Sequence, residues 1–336
     1  MPDALCSHPS TGGRKPRGPS LYRNDKHGRH DTSTDDYEEF EPPWSPDEED
    51  DREMNDFDYP DAAEPVASVM AADTGKIRPP VKWHGGKFFQ VPQITKEFAE
   101  HRIYGEPFGG GASVLLNKPP VDVEAYNDLD LRITRLFRVL RDDGNPLIRL
   151  LRLTPYSQIE FAGAADYPVD ASDVEKARCD YVRWRQSFGG QGKSWSCTTT
   201  RARGGMAGDV NAWHTSIKQL PRVMRRLKQV QILCEPAVDF IRRFDHPEAL
   251  FYCDPTYVHS TRTSKSVYGV EMTDQDHREL ADVLNRCRAK VVISGYPSPL
   301  YQELYAEWKT VEFDAVKHSA GGKSKARAKE CLWKNY

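Results

Sequence analysis

The stretch EALFYCDPTY, residues 248–257, combines an apolar run with an abrupt polar end. The apolar run has the length and composition of a buried strand, and it stops at Asp254 and Pro255. A proline lacks a backbone N–H and has a fixed φ, so it ends a strand and holds its own carbonyl in a defined direction. The stretch therefore predicts a buried strand that brings a carboxylate, a rigid carbonyl and the ring of Tyr257 to its carboxyl end.

Segments with the periodicity of strands and helices alternate from residue 76 onward. The predicted strands, each with the helix that follows it, are RIYGEPF (102–108) with GASVLLNK (111–118), VDVEAYND (121–128) with LRITRLFRVLRDD (131–143), and EALFYCD (248–254) with TDQDHRELADVLNRCR (273–288), before a last strand AKVVISGY (289–296). This repetition predicts the α/β class, with a mostly parallel sheet and helices on both faces. In such sheets, ligands bind beyond the carboxyl ends of the strands.

Two further stretches fall at predicted carboxyl ends. EPFGGGAS (106–113) carries three glycines from a strand toward a helix, which allows a tight turn and a close approach of ligand to backbone. Asp128 ends the next strand, and a carboxylate there can accept both hydroxyls of a ribose. Asp128 can also be explained as the cap of the helix that follows it. Together the two stretches favour a nucleoside ligand.

The glycine pattern does not match the common phosphate-binding motifs. A P-loop needs Gly-Lys-Ser/Thr, whereas Gly111 is followed by Ala112 and Ser113. The dinucleotide motif needs a third glycine at the position that Val114 occupies. A nucleoside without a phosphate chain is therefore favoured, and S-adenosylmethionine is the common one.

The residue types after the 248–254 strand suit methyl transfer to an exocyclic amine. Such an amine on a nucleobase is a poor nucleophile because its lone pair is delocalised into the ring. Asp254 and Pro255 can accept its two N–H groups and oppose that delocalisation, while Tyr257 can stack on the base. Positioning and these acceptors would then supply most of the catalysis of an in-line transfer from a sulfonium. Asp254, Pro255 and Tyr257 are the predicted catalytic residues; an ordinary strand-ending turn is the alternative.

Five motifs in one order resemble the DNA adenine-N6 methyltransferases of the Dam type. They are KWHGGK (82–87), EPFGGGAS (106–113), YNDLD (126–130), DPTY (254–257) and ECLWKNY (330–336). The resemblance implies a Rossmann-like sheet that binds S-adenosylmethionine, with an inserted, mostly helical DNA-recognition lobe. The implied division is a disordered tail (1–75), a catalytic domain (76–140 and 245–336) and the lobe (141–244).

The resemblance also implies roles for single residues. Trp83 and Lys87 would contact the methionine end and the adenosine of the cofactor, Asp128 would hold its ribose, and Asp254 would touch both cofactor and reacting centre. The cofactor-binding set is Trp83, Lys87, Glu106, Pro107, Phe108, Gly109, Gly111, Asp128 and Asp254, and no metal site is expected. Thr256 stands where the family has a second proline, a change that removes some backbone rigidity and that we expect to be tolerated.

Residues 141–244 interleave arginine, lysine, tryptophan and glycine with few aliphatic runs. Such residues can contact phosphates and guanine edges, which predicts double-stranded DNA as the partner. A polar helical lobe that only packs on the sheet is the alternative. VHSTRTSKSVYG (258–269) predicts a mobile loop that orders over a base flipped out of the duplex.

Residues 1–75 are dense in acidic residues and proline and have few aliphatic side chains, which predicts disorder. They could dock an unknown partner or mimic nucleic acid, or they could simply be a solvated tail. The whole chain has a net charge of -3, so the remainder after this acidic segment is net basic, as suits a protein that contacts phosphates.

The rest of the composition indicates where in the cell the protein acts. No run approaches the roughly 18 apolar residues of a membrane span, and the N-terminus lacks the apolar core of a signal peptide. We therefore expect a cytoplasmic protein of a prokaryotic or phage-infected cell, acting as a monomer. Its seven cysteines are scattered, without the short paired spacings of zinc sites, and are expected to be reduced thiols.

Several other activities are alternatives to adenine methylation. Cytosine C5 methylation needs a thiolate, and Cys253 lies inside the predicted strand, where we expect it buried and inert. Cytosine N4 methylation uses the same amine chemistry and stays open. Methylation of RNA or of a protein glutamine is opposed by the motif order and the basic lobe. A DNA-binding regulator with a weak catalytic centre is the alternative from a different class, and a restriction-modification context is expected for the enzyme.

Overall fold

The computed structural model describes residues 75–258, 260, 271–316 and 327–336. The strands, in chain order, are β1 Ile103–Glu106, β2 Val123–Asn127, β3 Ala202–Arg203, β4 Met206–Ala207, β5 Gln231–Leu233, β6 Ala249–Cys253, β7 Lys290–Gly295, β8 Lys309–Val316 and β9 Arg327–Lys334. The α-helices are α1 Val91–Lys96, α2 Leu131–Leu153, α3 Gln158–Gly163, α4 Asp173–Arg185, α5 Gly208–Lys218, α6 Leu220–Leu227, α7 Ala237–Phe244, α8 Asp274–Arg286 and α9 Pro299–Leu304.

Seven of these strands form one sheet in the order β5-β2-β1-β6-β7-β9-β8 within the described ranges. The first five are parallel, while β9 runs antiparallel to both β7 and β8. The chain builds outward from β1 to β2 in one direction and from β6 to β7 in the other. The carboxyl ends of β1 and β6 therefore form a crevice of the kind that binds ligands in open α/β sheets. The predicted mostly parallel sheet is confirmed.

Both faces of the sheet are covered, as predicted for a Rossmann-like fold. Side chains alternate along β6, so that Leu250 and Tyr252 join one buried cluster while Phe251 and Cys253 join another. The first cluster includes residues of α2, α4, α5 and α6, and the second includes residues of α7, α8 and α9. The core therefore lies in two layers, one on each side of β6.

Helices α2 and α8 follow from clear local signals. Thr273 caps α8 in a capping box with Asp276, as its position before an acidic first turn predicts. Helix α2 runs past its predicted end at residue 143 and contains a kink, where Asp143 has φ -147° and ψ 55°. Pro146 follows the kink, and its ring and missing N–H disrupt the preceding turn of helix.

The helix predicted at residues 111–118 is wrong. The segment instead forms consecutive turns, in which the Leu116 N–H donates to the Ala112 carbonyl (3.0 Å) and the Lys118 N–H to the Val114 carbonyl (2.9 Å). Ala112 has a φ of 55°, in the left-handed region, so a right-handed helix cannot pass through it. Pro119 then disfavours helical backbone at Lys118, which leaves little room for a regular helix.

The chain returns to the sheet earlier than the predicted domain boundary at residue 244. Strand β5 pairs with β2, as Ala125 with Gln231 and Asn127 with Leu233, so a piece assigned to the lobe belongs to the sheet. Three-residue strands carry almost no periodic signal, which explains why β5 is missing from the sequence prediction. The remaining division into catalytic domain and recognition lobe stays a prediction.

Some predicted segments lie outside the described residues. These are the tail at 1–75, apart from Gly75, and the loop at 258–269, apart from Val258 and Ser260. Within the part of the chain that the structure describes, no helix combines membrane-spanning length with a sufficiently apolar sequence.

Candidate active site

A cavity of about 510 Å³ opens at the crevice between the carboxyl ends of β1 and β6. Ten of the predicted site residues line it: Trp83, Lys87, Glu106, Pro107, Phe108, Gly109, Gly111, Asp128, Asp254 and Pro255. Tyr257 is not one of the described residues that line it. The fold therefore gathers four separate stretches of sequence around one space.

The glycine turn and Asp128 are joined by hydrogen bonds. The Gly110 N–H donates to Asp128 Oδ2 and the Asp130 N–H donates to Oδ1, each at 2.8 Å. The cap of α2 is Asp130, which accepts from the Arg132 N–H, so the alternative of Asp128 as the helix cap is wrong. Each oxygen of Asp128 accepts one backbone N–H in these bonds, which leaves lone pairs for a ligand.

Burial raises the pKa of Asp128 to about 6, although the backbone N–H groups of Asp130 and Gly110 act in the opposite direction. Near neutral pH the carboxylate is therefore mostly ionised, and it becomes protonated only a little below neutrality. An ionised acceptor on the cavity wall suits a ligand with hydroxyl groups.

The backbone at Gly109 and Gly110 can only be glycine. A Cβ at Gly109 would lie 2.1 Å from the ring of Tyr126, and Gly110 has a φ of 47°. The hydroxyl of Tyr126 donates to the Gly110 carbonyl at 2.7 Å, and its ring is fully buried. Strand β2 thus holds the turn that follows β1 through one aromatic side chain.

Glu106 is a buried acid at the end of β1, with 2% of its surface exposed. Its Oε1 accepts from the Tyr104 hydroxyl at 2.7 Å. Burial raises the pKa of Glu106 to about 8, so it is mostly neutral at pH 7. A neutral carboxyl can donate as well as accept a hydrogen bond.

Aromatic side chains and the predicted lobe close another part of the cavity. Trp83 packs with Trp184 of α4, their ring centroids 5.9 Å apart, and both line the cavity. Further lining comes from Tyr167 and Asp180, which also lie between residues 141 and 244. The segment predicted to recognise DNA therefore also contributes to the wall of this cavity.

The carboxylate of Asp254 accepts hydrogen bonds from an ammonium and from a hydroxyl. Lys87 Nζ lies 2.7 Å from Oδ1 and 2.9 Å from Oδ2, and Ser294 Oγ donates to Oδ1 at 2.8 Å. A carboxylate has about four acceptor sites, so these contacts leave one, at Oδ2. Lys87 is only 5% exposed, so this ion pair lies in a setting with little solvent screening.

Tyr257 and Asp254 both accept hydrogen bonds from Lys87. Lys87 Nζ donates to the Tyr257 hydroxyl at 2.6 Å, and that hydroxyl donates to Oε1 of Glu330. The ring also packs edge-on against Tyr296, with centroids 4.6 Å apart. Tyr257 is half-buried and held at its hydroxyl end.

Sequence reasoning gave no role to Ser294 or to Glu330, although Glu330 opens the ECLWKNY motif. Ser294 follows the apolar run Val291–Ile293 of β7, and Glu330 opens the buried run of β9 that ends in Trp333. A polar residue next to an apolar run in a strand, near the end that meets the site, is the signal that could have found both.

Cys253 does not offer a thiolate to this site. The residue is fully buried in β6, and burial raises the pKa of its thiol well above the ordinary value. The six cysteines among the described residues are all free thiols. The expectation that Cys253 is inert agrees with this burial.

A model of one protein family matches part of the chain. Its description is D12 class N6 adenine-specific DNA methyltransferase, and it matches residues 202–319. The matched range includes Asp254, Pro255 and Tyr257 but does not reach the glycine turn or Asp128. A comparison with curated protein sequences finds no match to the chain.

Proposed function

We propose that this chain, whose residues 202–319 match the D12 class of N6 adenine-specific DNA methyltransferases, methylates adenine N6 within a specific DNA sequence, with S-adenosylmethionine as the methyl donor. The observation that carries the proposal is the shared cavity. A ribose acceptor, Asp128, and an amine acceptor, Asp254, line one space at the carboxyl ends of adjacent parts of the sheet.

The residues of the cavity fit this cofactor. Its adenosine needs a hydroxyl acceptor and an aromatic or apolar surface, which Asp128, Phe108 and Trp83 offer. The glycines of the turn carry no side chains, so the backbone can approach the ligand closely. Tyr126 leaves no room for a side chain at Gly109. When bound, S-adenosylmethionine supplies an electrophilic methyl group on a sulfonium.

Asp254 and Pro255 prepare the adenine amine for attack. The acceptor site left at Asp254 Oδ2 takes one N–H, and the carbonyl of Pro255 takes the other. Lys87 and Ser294 hold the carboxylate in place, so its orientation is set before substrate arrives. Stacking by Tyr257 would fix the base, with the ring positioned through its hydroxyl.

DNA is the macromolecular substrate of this class. An amine inside a duplex cannot reach Asp254, so we propose that the target adenine flips out of the helix. Residues 141–244 would contact the surrounding DNA. The monomeric state, the cytoplasmic location and the restriction-modification context stay predictions.

The test identifies the methylated base. The protein is incubated with duplex DNA and S-adenosylmethionine carrying a labelled methyl group, and the DNA is digested to nucleosides. We expect the label in N6-methyl-2′-deoxyadenosine and at one sequence context. Label in N4-methyl-2′-deoxycytidine would instead support the cytosine alternative, and DNA binding without transfer would support the regulator.

A further inference from the structure

Glu330 lies where the antiparallel part of the sheet meets the site. It belongs to β9, where the next residue, Cys331, pairs with Gly295 at the end of β7. Because β9 runs antiparallel to β7, its early residues lie beside the carboxyl ends of the parallel strands. Glu330 is only 3% exposed, so its carboxyl group is held in the protein interior.

Two residues of the proposed reaction contact this carboxyl group. Oε1 accepts the hydroxyl of Tyr257 and lies 3.6 Å from Lys87 Nζ. The hydrogen bonds therefore form a chain with one direction: the ammonium of Lys87 donates to the Tyr257 hydroxyl, and that hydroxyl donates to Glu330. A tyrosine hydroxyl that must donate to Glu330 presents its lone pairs to Lys87.

The ammonium of Lys87 also has two carboxylates within reach. Asp254 lies at 2.7 Å and Glu330 at 3.6 Å, both largely removed from water. A cation paired with Asp254 alone would neutralise much of the charge that the adenine amine needs. An ionised Glu330 also attracts the positive charge of Lys87, so Lys87 neutralises less of the negative charge on Asp254. Asp254 is therefore a stronger hydrogen-bond acceptor.

We propose that Glu330 is a positioning residue for methyl transfer, which orients the ring of Tyr257 through its hydroxyl and shares the charge of Lys87 with Asp254. This inference rests on the proposed function of Asp254 and Tyr257. It assigns no contact between Glu330 and the substrate.

The charge of Glu330 makes methyl transfer depend on pH. Burial raises the pKa of Glu330, while Lys87 and the Tyr257 hydroxyl act in the opposite direction. Among the described residues, the titratable groups that interact with it include Lys87, Asp254, Tyr257, Tyr296, Tyr252 and Cys331. Protonation of Glu330 removes its share of the charge of Lys87 and so weakens Asp254 as an acceptor, and kcat should therefore fall as the pH drops through the pKa of Glu330.

The test compares Glu330→Gln with Glu312→Gln in the full chain. Glutamine keeps the size of the side chain and an acceptor oxygen for Tyr257 but removes the charge. Glu312 lies on the neighbouring strand β8, is exposed, and pairs with Lys329 at 3.0 Å, which makes it a matched control. We expect kcat of E330Q to fall roughly tenfold or more, the effect of one hydrogen bond to a charged group. KM for S-adenosylmethionine and the activity of E312Q should stay near wild type.

Two further measurements separate positioning from a structural role. The acidic limb of the kcat profile that belongs to Glu330 should be missing in E330Q. In a double-mutant cycle with Tyr257→Phe, the two losses should not add, because E330Q removes the charge from a hydrogen bond that Tyr257→Phe removes altogether.

A folded E330Q protein with wild-type kcat and an unchanged pH profile would overturn the inference. Lower thermal stability with unchanged kcat would do the same, because it would show a purely structural role. Either result leaves the proposed function standing, since wild type would still methylate adenine. No methyl transfer by wild type would instead overturn the proposed function and this inference with it.

Discussion

Asp128 and Asp254, on the wall of the cavity, accept hydrogen bonds from different kinds of partner. Asp128 accepts backbone N–H groups, whereas Asp254 accepts an ammonium and a hydroxyl. Backbone N–H groups hold the first carboxylate beside the glycine turn, and side chains from distant strands hold the second. Both residues are aspartates, and the difference in their partners is consistent with the proposal that Asp128 holds the ribose and Asp254 the amine.

Asp128→Ala should weaken binding of S-adenosylmethionine. The ribose hydroxyls lose an ionised acceptor, a contact worth about 1.5–3 kcal/mol per bond, so affinity should fall at least tenfold. Titration calorimetry measures this directly. Asp122→Ala, at an exposed residue paired with Arg102, is the control and should bind normally.

The pH dependence of binding distinguishes the carboxylate from a mere loss of packing. The pKa of Asp128 is raised to about 6, so the free protein loses the ionised acceptor as the pH falls through that value. Wild-type affinity should therefore weaken between pH 7 and pH 5, while that of Asp128→Ala should change little. Unchanged affinity in a folded Asp128→Ala protein would remove Asp128 from the cofactor site.

At the scale of elements, the turn after β1 is set by what packs beneath it. Tyr126 of β2 fills the space beside Gly109 and hydrogen-bonds to the Gly110 carbonyl, so the turn has one conformation. The same turn carries the Gly110 N–H that binds Asp128. Two strands therefore act together to place one acceptor.

Gly109→Ala should disrupt the turn and with it cofactor binding. The new Cβ would lie 2.1 Å from the Tyr126 ring, so backbone or ring must move. Gly163→Ala is the control, because a Cβ there meets nothing within 4 Å and alanine favours a helix by about 1 kcal/mol. Thermal unfolding and calorimetry should show a loss for the first variant and none for the second. Equal behaviour of the two would mean that the turn tolerates a side chain.

The sequence predicts the elements with strong local signals and misses the others. The apolar strands β6 and β7 and the capped helix α8 were predicted, because a short apolar run or a capping box is visible in the residues themselves. Strand β5 was not, because three residues show no periodicity. The roles of Glu330 and Ser294 were missed for a different reason: Ser294 reaches Asp254, and Glu330 reaches Lys87, only through the pairing of strands that lie far apart in the chain.

In the molecule as a whole, the sheet and the segment predicted to bind DNA share a core. Tyr181 of α4 and Trp213 of α5 belong to the same buried cluster as Tyr104 and Leu250 of the sheet. Trp184 of α4 lines the cavity as well. A change in that segment can therefore reach the candidate site through packing alone.

A chain that starts at Gly75 should fold and methylate DNA. The residues removed are rich in acids and proline and can add little to a core. Its melting temperature should match that of the full chain. If the acidic segment competes with DNA for basic residues, truncation should tighten DNA binding, most of all at low salt. A markedly lower melting temperature would contradict the prediction.

The most direct test of the account measures methyl transfer by Asp254 variants. Labelled methyl transfer to adenine in duplex DNA is followed for wild type, Asp254→Ala, Asp254→Asn and the control Asp282→Ala, whose exposed carboxylate pairs with Arg286 on the same helix, α8. Circular dichroism and thermal unfolding confirm folding. We expect no transfer by Asp254→Ala, a trace by Asp254→Asn, which keeps an acceptor oxygen without the charge, and wild-type rates for the control. Near wild-type turnover by a folded Asp254→Ala protein would contradict the assignment of Asp254 as the amine acceptor.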